Sequence, residues 1–162
     1  MTRPGKNPRD ASSKFIWPPV IYTVAVLIGY TGSTIANVPI FPQDLLPAMR
    51  LAGLAIIAGG VAIALWAEIA FLRAGTATLP IYPSSTIVSS GIYRFSRNPM
   101  YLGMSLFTAG LVLAFNSAWY LATLACAIVA VTRLAIVPEE KYLERKFGQS
   151  YLGYKTRVRR WL

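Results

Sequence analysis

The chain has 162 residues, of which 55% are hydrophobic and 14% charged, with a mean hydropathy of +0.49 and a net charge of +10. A soluble domain carries about 25% charged residues. Here the charges gather at the ends and in one central stretch, which excludes a large water-soluble core and points to a membrane protein. There is no histidine, and the single cysteine, Cys126, lies in an apolar run. Histidine triads, histidine proton shuttles, cysteine-rich metal sites and an intramolecular disulfide are therefore excluded, and no metal is expected.

Residues 1–14 are polar, basic and rich in Pro and Ser, and read as a cytoplasmic tail. No charge occurs from Phe15 to Gln43, and residues 17–36 supply 20 positions. That is enough to cross about 30 Å of hydrocarbon at about 1.5 Å per residue. Pro18 and Pro19 suit a first helical turn. Residues 37–47 hold three prolines and Asp44 and read as a short outer loop. A second spanning helix is expected over residues 48–72, with Gly53, Gly59 and Gly60 permitting close helix packing.

Residues 73–98 are polar and irregular, with Pro80, Pro83 and several serines, and Arg73, Arg94 and Arg97 place them on the cytoplasmic side. From Asn98 to Thr132 there are 35 residues without a charge, too many for one span. Asn116-Ser117 marks a turn, so two helices are expected, over 99–115 and 118–137. Pro138-Glu139-Glu140 then reads as a new helix start, Gly148 as its stop, and Ser150 as the cap of a last short helix. In that last helix Tyr151, Tyr154 and Val158 share one face ringed by basic residues, a pattern expected to lie on the membrane surface. The chain is thus expected to be a single all-α polytopic domain over 1–162. It has about four transmembrane helices, short cytoplasmic or interfacial helices over 138–162, and both termini inside. The basic residues flank apolar runs without any nucleic-acid-binding motif, so their partner is membrane lipid rather than nucleic acid.

Four groups of residues carry chemical potential. Asn98-Pro99 reads as a cap and first turn whose free N–H groups attract anions, with Tyr101, Leu102 and Gly103 in the turns behind it. The same residues also describe an ordinary capped helix. Glu139-Glu140 would bind Arg, hydroxyls or amines, or merely complement the helix dipole. Gly75, after the second span, is either a helix stop or a point of close ligand approach. Glu68 lies within the second span, where carboxylates are usually functional or paired, and is a candidate for contact with substrate.

Two runs, GIYRFSRNPMYLG and PEEKYLERKFGQSYLGYKTRV, resemble the isoprenylcysteine carboxyl methyltransferase family and its phospholipid methyltransferase relatives. The matching features are Arg97 to Gly103, Glu139 to Leu143, Phe147-Gly148, and the pair Tyr151 and Tyr154, with Ala74-Gly75-Thr76 similar to a glycine motif of the phospholipid enzymes. The resemblance spans about residues 71–160. It implies S-adenosyl-L-methionine as cofactor, held by Gly75, Asn98, Pro99, Tyr101, Leu102, Gly103, Glu139 and Glu140. The chemistry would fall to Arg97 and Glu140, and the acceptor would meet Tyr151 and Tyr154. Beside the resemblance, Arg94 or Arg97 is a candidate to hold an anionic acceptor group, and Glu68, from its place in the span, a candidate acceptor contact. That acceptor is expected to be lipophilic or lipid-anchored, at the cell (inner) membrane. Many prenylcysteine enzymes have histidine where this chain has Asn98. Two other readings share the architecture: an NADPH-dependent reductase of the sterol-reductase type, and a non-catalytic membrane scaffold. Cofactor binding separates the three.

Overall fold

The computed structural model describes residues 18–73 and 87–162; among them there is no strand. Six α-helices follow in order: α1 (Pro18–Ile35), α2 (Leu46–Arg73), α3 (Pro99–Phe115), α4 (Ala118–Val131), α5 (Val137–Phe147) and α6 (Gln149–Arg157). Pro18–Ile35, Gln43–Arg73 and Ala118–Phe147 are long and apolar enough to cross a membrane, and Pro99–Phe115 is apolar and, at 17 residues, shorter. The expected 20-residue first span is thus Pro18 onwards, and residues 1–17 lie outside the described part.

Glycine sets the distance between α2 and α3. A Cβ on Gly60 would stand 2.6 Å from the Gly103 carbonyl oxygen, and one on Gly103 would stand 2.6 Å from that of Gly60. Gly53 and Gly110 repeat the arrangement seven residues away along both helices, at 2.7 and 2.6 Å. The antiparallel backbones therefore touch at two points, as small residues allow in membranes. Gly59 faces open space and takes no part. Between α1 and α4 the same logic seats rings on glycines: Gly29 lies under Tyr120 and Gly32 under Trp119. Tyr22 of α1 reaches α3, its hydroxyl 2.6 Å from Ser105 Oγ.

At the outer end, Asn116 ends α3 in the left-handed region, with φ of 47°, as the turn signal implied. Its side chain clamps the α1–α2 link. Oδ1 accepts from Ile40 N (3.0 Å) and Phe41 N (2.8 Å), and Nδ2 donates to Phe41 O (2.9 Å).

Three details differ from the sequence expectations. The helix does not restart at Pro138. Instead α4 runs through a π turn, Thr132–Ile136, straight into α5. In a regular helix the Pro138 ring would clash with the Leu134 carbonyl; the wider turn containing Leu134 accommodates it. Gly148, with φ of 53°, both stops α5 and caps α6, so Ser150 falls inside the helix rather than at its start. The apolar face of α6 is also covered by protein: Tyr151, Tyr154 and Val158 are buried against Ile87, Leu143 and Phe147. It therefore does not rest on lipid.

Candidate functional site

Three separate stretches meet at the end of the bundle opposite Asn116: residues 93–98 entering α3, the start of α5, and the segment that leaves α6. Backbone bonds tie the first to the last, with Arg97 N donating to Arg159 O at 3.0 Å. Asn98 Nδ2 donates to Arg160 O at 2.9 Å, and Ser96 Oγ approaches the same oxygen at 3.4 Å. Asn98 precedes α3 as foreseen, but its side chain makes no capping bond; Ser96 Oγ instead accepts from the Asn98 N–H at 3.1 Å.

Glu140 is the electrostatic centre of the junction and is 6% exposed. Arg160 grips it with two bonds, Nε to Oε1 at 3.0 Å and Nη2 to Oε2 at 2.8 Å. Arg97, whose side chain is 8% exposed, brings Nη1 to 3.0 Å from Oε1, off the line of a hydrogen bond. Arg97 Nε has no hydrogen-bond partner. Two arginines meet on one carboxylate, with Glu139 beside it on the same cavity, and one buried donor is unused. Such a donor costs about 1–3 kcal/mol where nothing fills it.

The neighbouring carboxylate has a different partner. Glu139 accepts from the Tyr101 hydroxyl at 3.2 Å, leaving further acceptor sites on its two oxygens. The two acids, adjacent in sequence, thus face different partners. Around them Tyr154 donates to Tyr93 O at 2.7 Å, and Tyr151 packs edge-on to Tyr154 with ring centroids 6.2 Å apart. Burial, with the charge of Glu140 second, pushes the Tyr151 phenol up to about 12. Burial does the same to Tyr154, also to about 12, with Tyr151 adding to it. Both therefore remain protonated at neutral pH and act as donors or packing groups, not as bases. The Arg160 guanidinium is raised above its ordinary value by its bonds to Glu140.

Two cavities adjoin this junction. One of about 60 Å³ is lined by Phe71, Ile87, Val88, Tyr93, Arg97, Asn98, Ile136, Glu139, Glu140, Leu143, Tyr151 and Tyr154. The other, about 770 Å³, lies among α1, α2 and α3 and is mostly apolar; Tyr22, Leu27, Val61, Glu68, Met100, Gly103 and Phe107 are among its walls. The first turn of α3 borders both, with Asn98 on the small cavity and Met100 on the large one.

The structure therefore gathers Arg97, Asn98, Glu139, Glu140, Tyr151 and Tyr154 around one cavity, with Tyr101 bonded to its edge. Pro99 is buried behind them. Glu68 stands apart, on the large cavity. Leu102 is half-buried, its N–H bonded to Asn98 O at 3.0 Å. Gly103 meets the α2 backbone. Arg94 is exposed and lines neither cavity. Gly75 lies outside the described residues. Sequence reasoning passed over Arg160, one of four cations near the chain end; nothing in their spacing distinguishes it. It also missed Tyr93 and Phe71, whose rings meet edge-on at 5.1 Å beside the small cavity.

Comparison with known proteins adds three findings. The model of a family described as phospholipid methyltransferase matches residues 48–150. A protein of Haemophilus influenzae described as uncharacterized is 51% identical over 35 residues, which are 22% of this chain and 56% of that protein, so the chain spans about half the length of the curated relative it matches. No solved structure matches.

Proposed function

Because the chain belongs to the phospholipid methyltransferase family of membrane methyltransferases, we propose that it transfers a methyl group from S-adenosyl-L-methionine to a lipophilic acceptor at the cytoplasmic face of the cell (inner) membrane. The observation that carries this reading is the pairing of two unlike cavities across the first turn of α3: a small one that includes Arg97, Glu139 and Glu140 in its walls, beside a large, almost wholly apolar one. A methyl transfer between a water-soluble donor and a lipid-borne acceptor needs that pairing.

The residues fit the cofactor. Its amino-acid end carries a carboxylate and an ammonium group. Arg97 Nε is a buried donor without a partner, suited to the carboxylate. Glu139 has acceptor sites beyond the one taken by Tyr101, suited to the ammonium group. The free N–H groups of the α3 first turn, behind Asn98 and Pro99, favour the same anion. Leu102 and Gly103 belong to these turns, and Gly75 is assigned to the same cofactor from sequence. When bound, S-adenosyl-L-methionine supplies an electrophilic methyl group on a sulfonium.

The protein's part in the chemistry is to align and to exclude water. A carboxylate or thiolate acceptor needs no base, and holding it in line lowers the barrier by several kcal/mol. An amine acceptor must shed a proton, which Glu139 on the small cavity or Glu68 on the large one would take. Glu140 holds Arg97 in place, and Arg94 is assigned to an anionic acceptor group. The acceptor's chain occupies the 770 Å³ cavity, entering sideways from the bilayer past Glu68. Tyr151 and Tyr154 face its reacting end.

Binding measurements on the purified protein in detergent test this reading. S-adenosyl-L-methionine and S-adenosyl-L-homocysteine should bind competitively and NADPH should not. Glu140→Gln, which unpins both arginines, should weaken binding about tenfold or more while helix content stays unchanged. Binding of NADPH alone, or of none of the three, would overturn the assignment.

A further inference from the structure

The segment Val158–Leu162, which follows α6, returns across the entrance to α3 and contributes a side chain to the buried junction. Two hydrogen bonds and one packing contact fix its path: Arg97 N bonds Arg159 O at 3.0 Å, Asn98 Nδ2 bonds Arg160 O at 2.9 Å, and Trp161 packs against the core around Tyr101 and Ile136. The Arg160 guanidinium then takes both oxygens of Glu140, at 3.0 and 2.8 Å. Its partner in holding that carboxylate, Arg97, makes one off-line approach to Oε1, hydrogen-bonds the Tyr151 side chain and keeps an unpartnered Nε.

These two facts are linked. A carboxylate offers about four acceptor positions, and a guanidinium gains most by taking two of them side by side. Arg160 occupies the bidentate position, so Arg97 is denied it. Arg97 stays buried, held by charge; it lines the small cavity, and its Nε is an unspent donor. Were Arg160 absent, Arg97 would turn to take Glu140 with two bonds and consume the donor that a ligand needs.

We propose that Arg160 is a positioning residue for ligand binding: by monopolising Glu140 it keeps Arg97 free to receive the carboxylate of the bound cofactor. This rests on the cofactor assignment above. It makes the segment after α6 part of the site, although Arg160 itself is more than a third exposed at its side chain and lines neither cavity.

The test compares two ligands that differ in the recognised group. S-adenosyl-L-homocysteine carries the carboxylate; methylthioadenosine has the same nucleoside and a thioether but no amino-acid end. In Arg160→Gln, affinity for S-adenosyl-L-homocysteine should fall about tenfold, the worth of one charge-assisted hydrogen bond, while methylthioadenosine affinity should change less than about twofold. Arg160→Lys, which keeps the charge but has no fork, should fall between Gln and the parent, and carries the comparison if Arg160→Gln does not fold. Adding Arg97→Gln to Arg160→Gln should cost little further, because both act through one contact. Equal loss for both ligands would make Arg160 a structural strut and overturn the proposal. So would unchanged affinity for both. If the parent protein binds neither ligand, the cofactor assignment falls, and this proposal with it.

Discussion

The side chain of Asn98 turns away from the helix it precedes. Sequence gave every reason to read it as a cap, since Asn before Pro is a strong helix-start signal. The helix does start there, yet Nδ2 is spent on Arg160 O, 62 residues on, and the Asn98 N–H is satisfied by Ser96. A capping role would let aspartate replace asparagine freely. The observed role does not: aspartate has no donor for the Arg160 carbonyl and sets a charge beside it. Asn98→Ala should therefore cost about 1–2 kcal/mol, and Asn98→Asp more than Ala, about 2–3 kcal/mol. Thermal unfolding in detergent reads the order directly. An aspartate variant as stable as the parent would restore the capping role. The same limit applies to Glu140. Pairing with arginine was legible from the Glu-Glu pair, but which two arginines was not, because a contact between distant stretches is set by the fold and not by spacing.

At the scale of elements, apolar length and charge placement pointed to the long apolar helices, although the one expected over 118–137 ends at Val131 before a π turn, and glycine pointed to their packing only in part. Gly53, Gly59 and Gly60 look alike in sequence, yet Gly59 faces open space while Gly53 and Gly60 touch α3. Which glycine faces a neighbour depends on the rotation of α2, and a helix surrounded by lipid on one side and apolar side chains on the other has too little amphipathic contrast to reveal it. The π turn before α5 was equally hidden, since Pro138 signals a helix start and a tolerated interior proline in the same letters. Gly103 shows the consequence for assigning sites. Its Cα lies against Gly60 O, and an added Cβ would also meet Ala64 Cβ at 2.9 Å. Backbone cannot swing aside, so α2 and α3 would have to separate. Gly103→Ala should destabilise by about 1–3 kcal/mol, whereas Gly59→Ala should be neutral within about 0.5 kcal/mol. Unfolding of both variants in mixed micelles measures the difference, and an unperturbed Gly103→Ala would show that the helices are not held at backbone contact.

For the whole molecule, the contacts fix which ends share a side. The Arg97–Glu140–Arg160 junction puts the starts of α3 and α5 together with the segment after α6, and Tyr22 beside Ser105 and Tyr101 adds the start of α1. The opposite side holds Asn116 clamped on Phe41, and Trp119 Nε1 bonded to Ala36 O at 2.8 Å. Charge then orients the molecule. Between Ile35 and Leu46 the only charged residue is Asp44, while α5 and α6 alone carry Lys141, Arg145, Lys146, Lys155 and Arg157. Each cation near an anionic cytoplasmic leaflet is worth about 1 kcal/mol, and cations resist export across the membrane. The junction should therefore face the cytoplasm and the Asn116 clamp the outside. Single cysteines test this in a Cys126→Ala background, at Gln43 and Ser150, both exposed and on opposite sides. With a membrane-impermeant maleimide on intact cells, Gln43→Cys should label at once and Ser150→Cys only after lysis. Labelling of Ser150→Cys in intact cells would invert the molecule. The cavity that awaits a cytoplasmic cofactor would then open on the wrong compartment, and the methyltransferase reading would lose its donor.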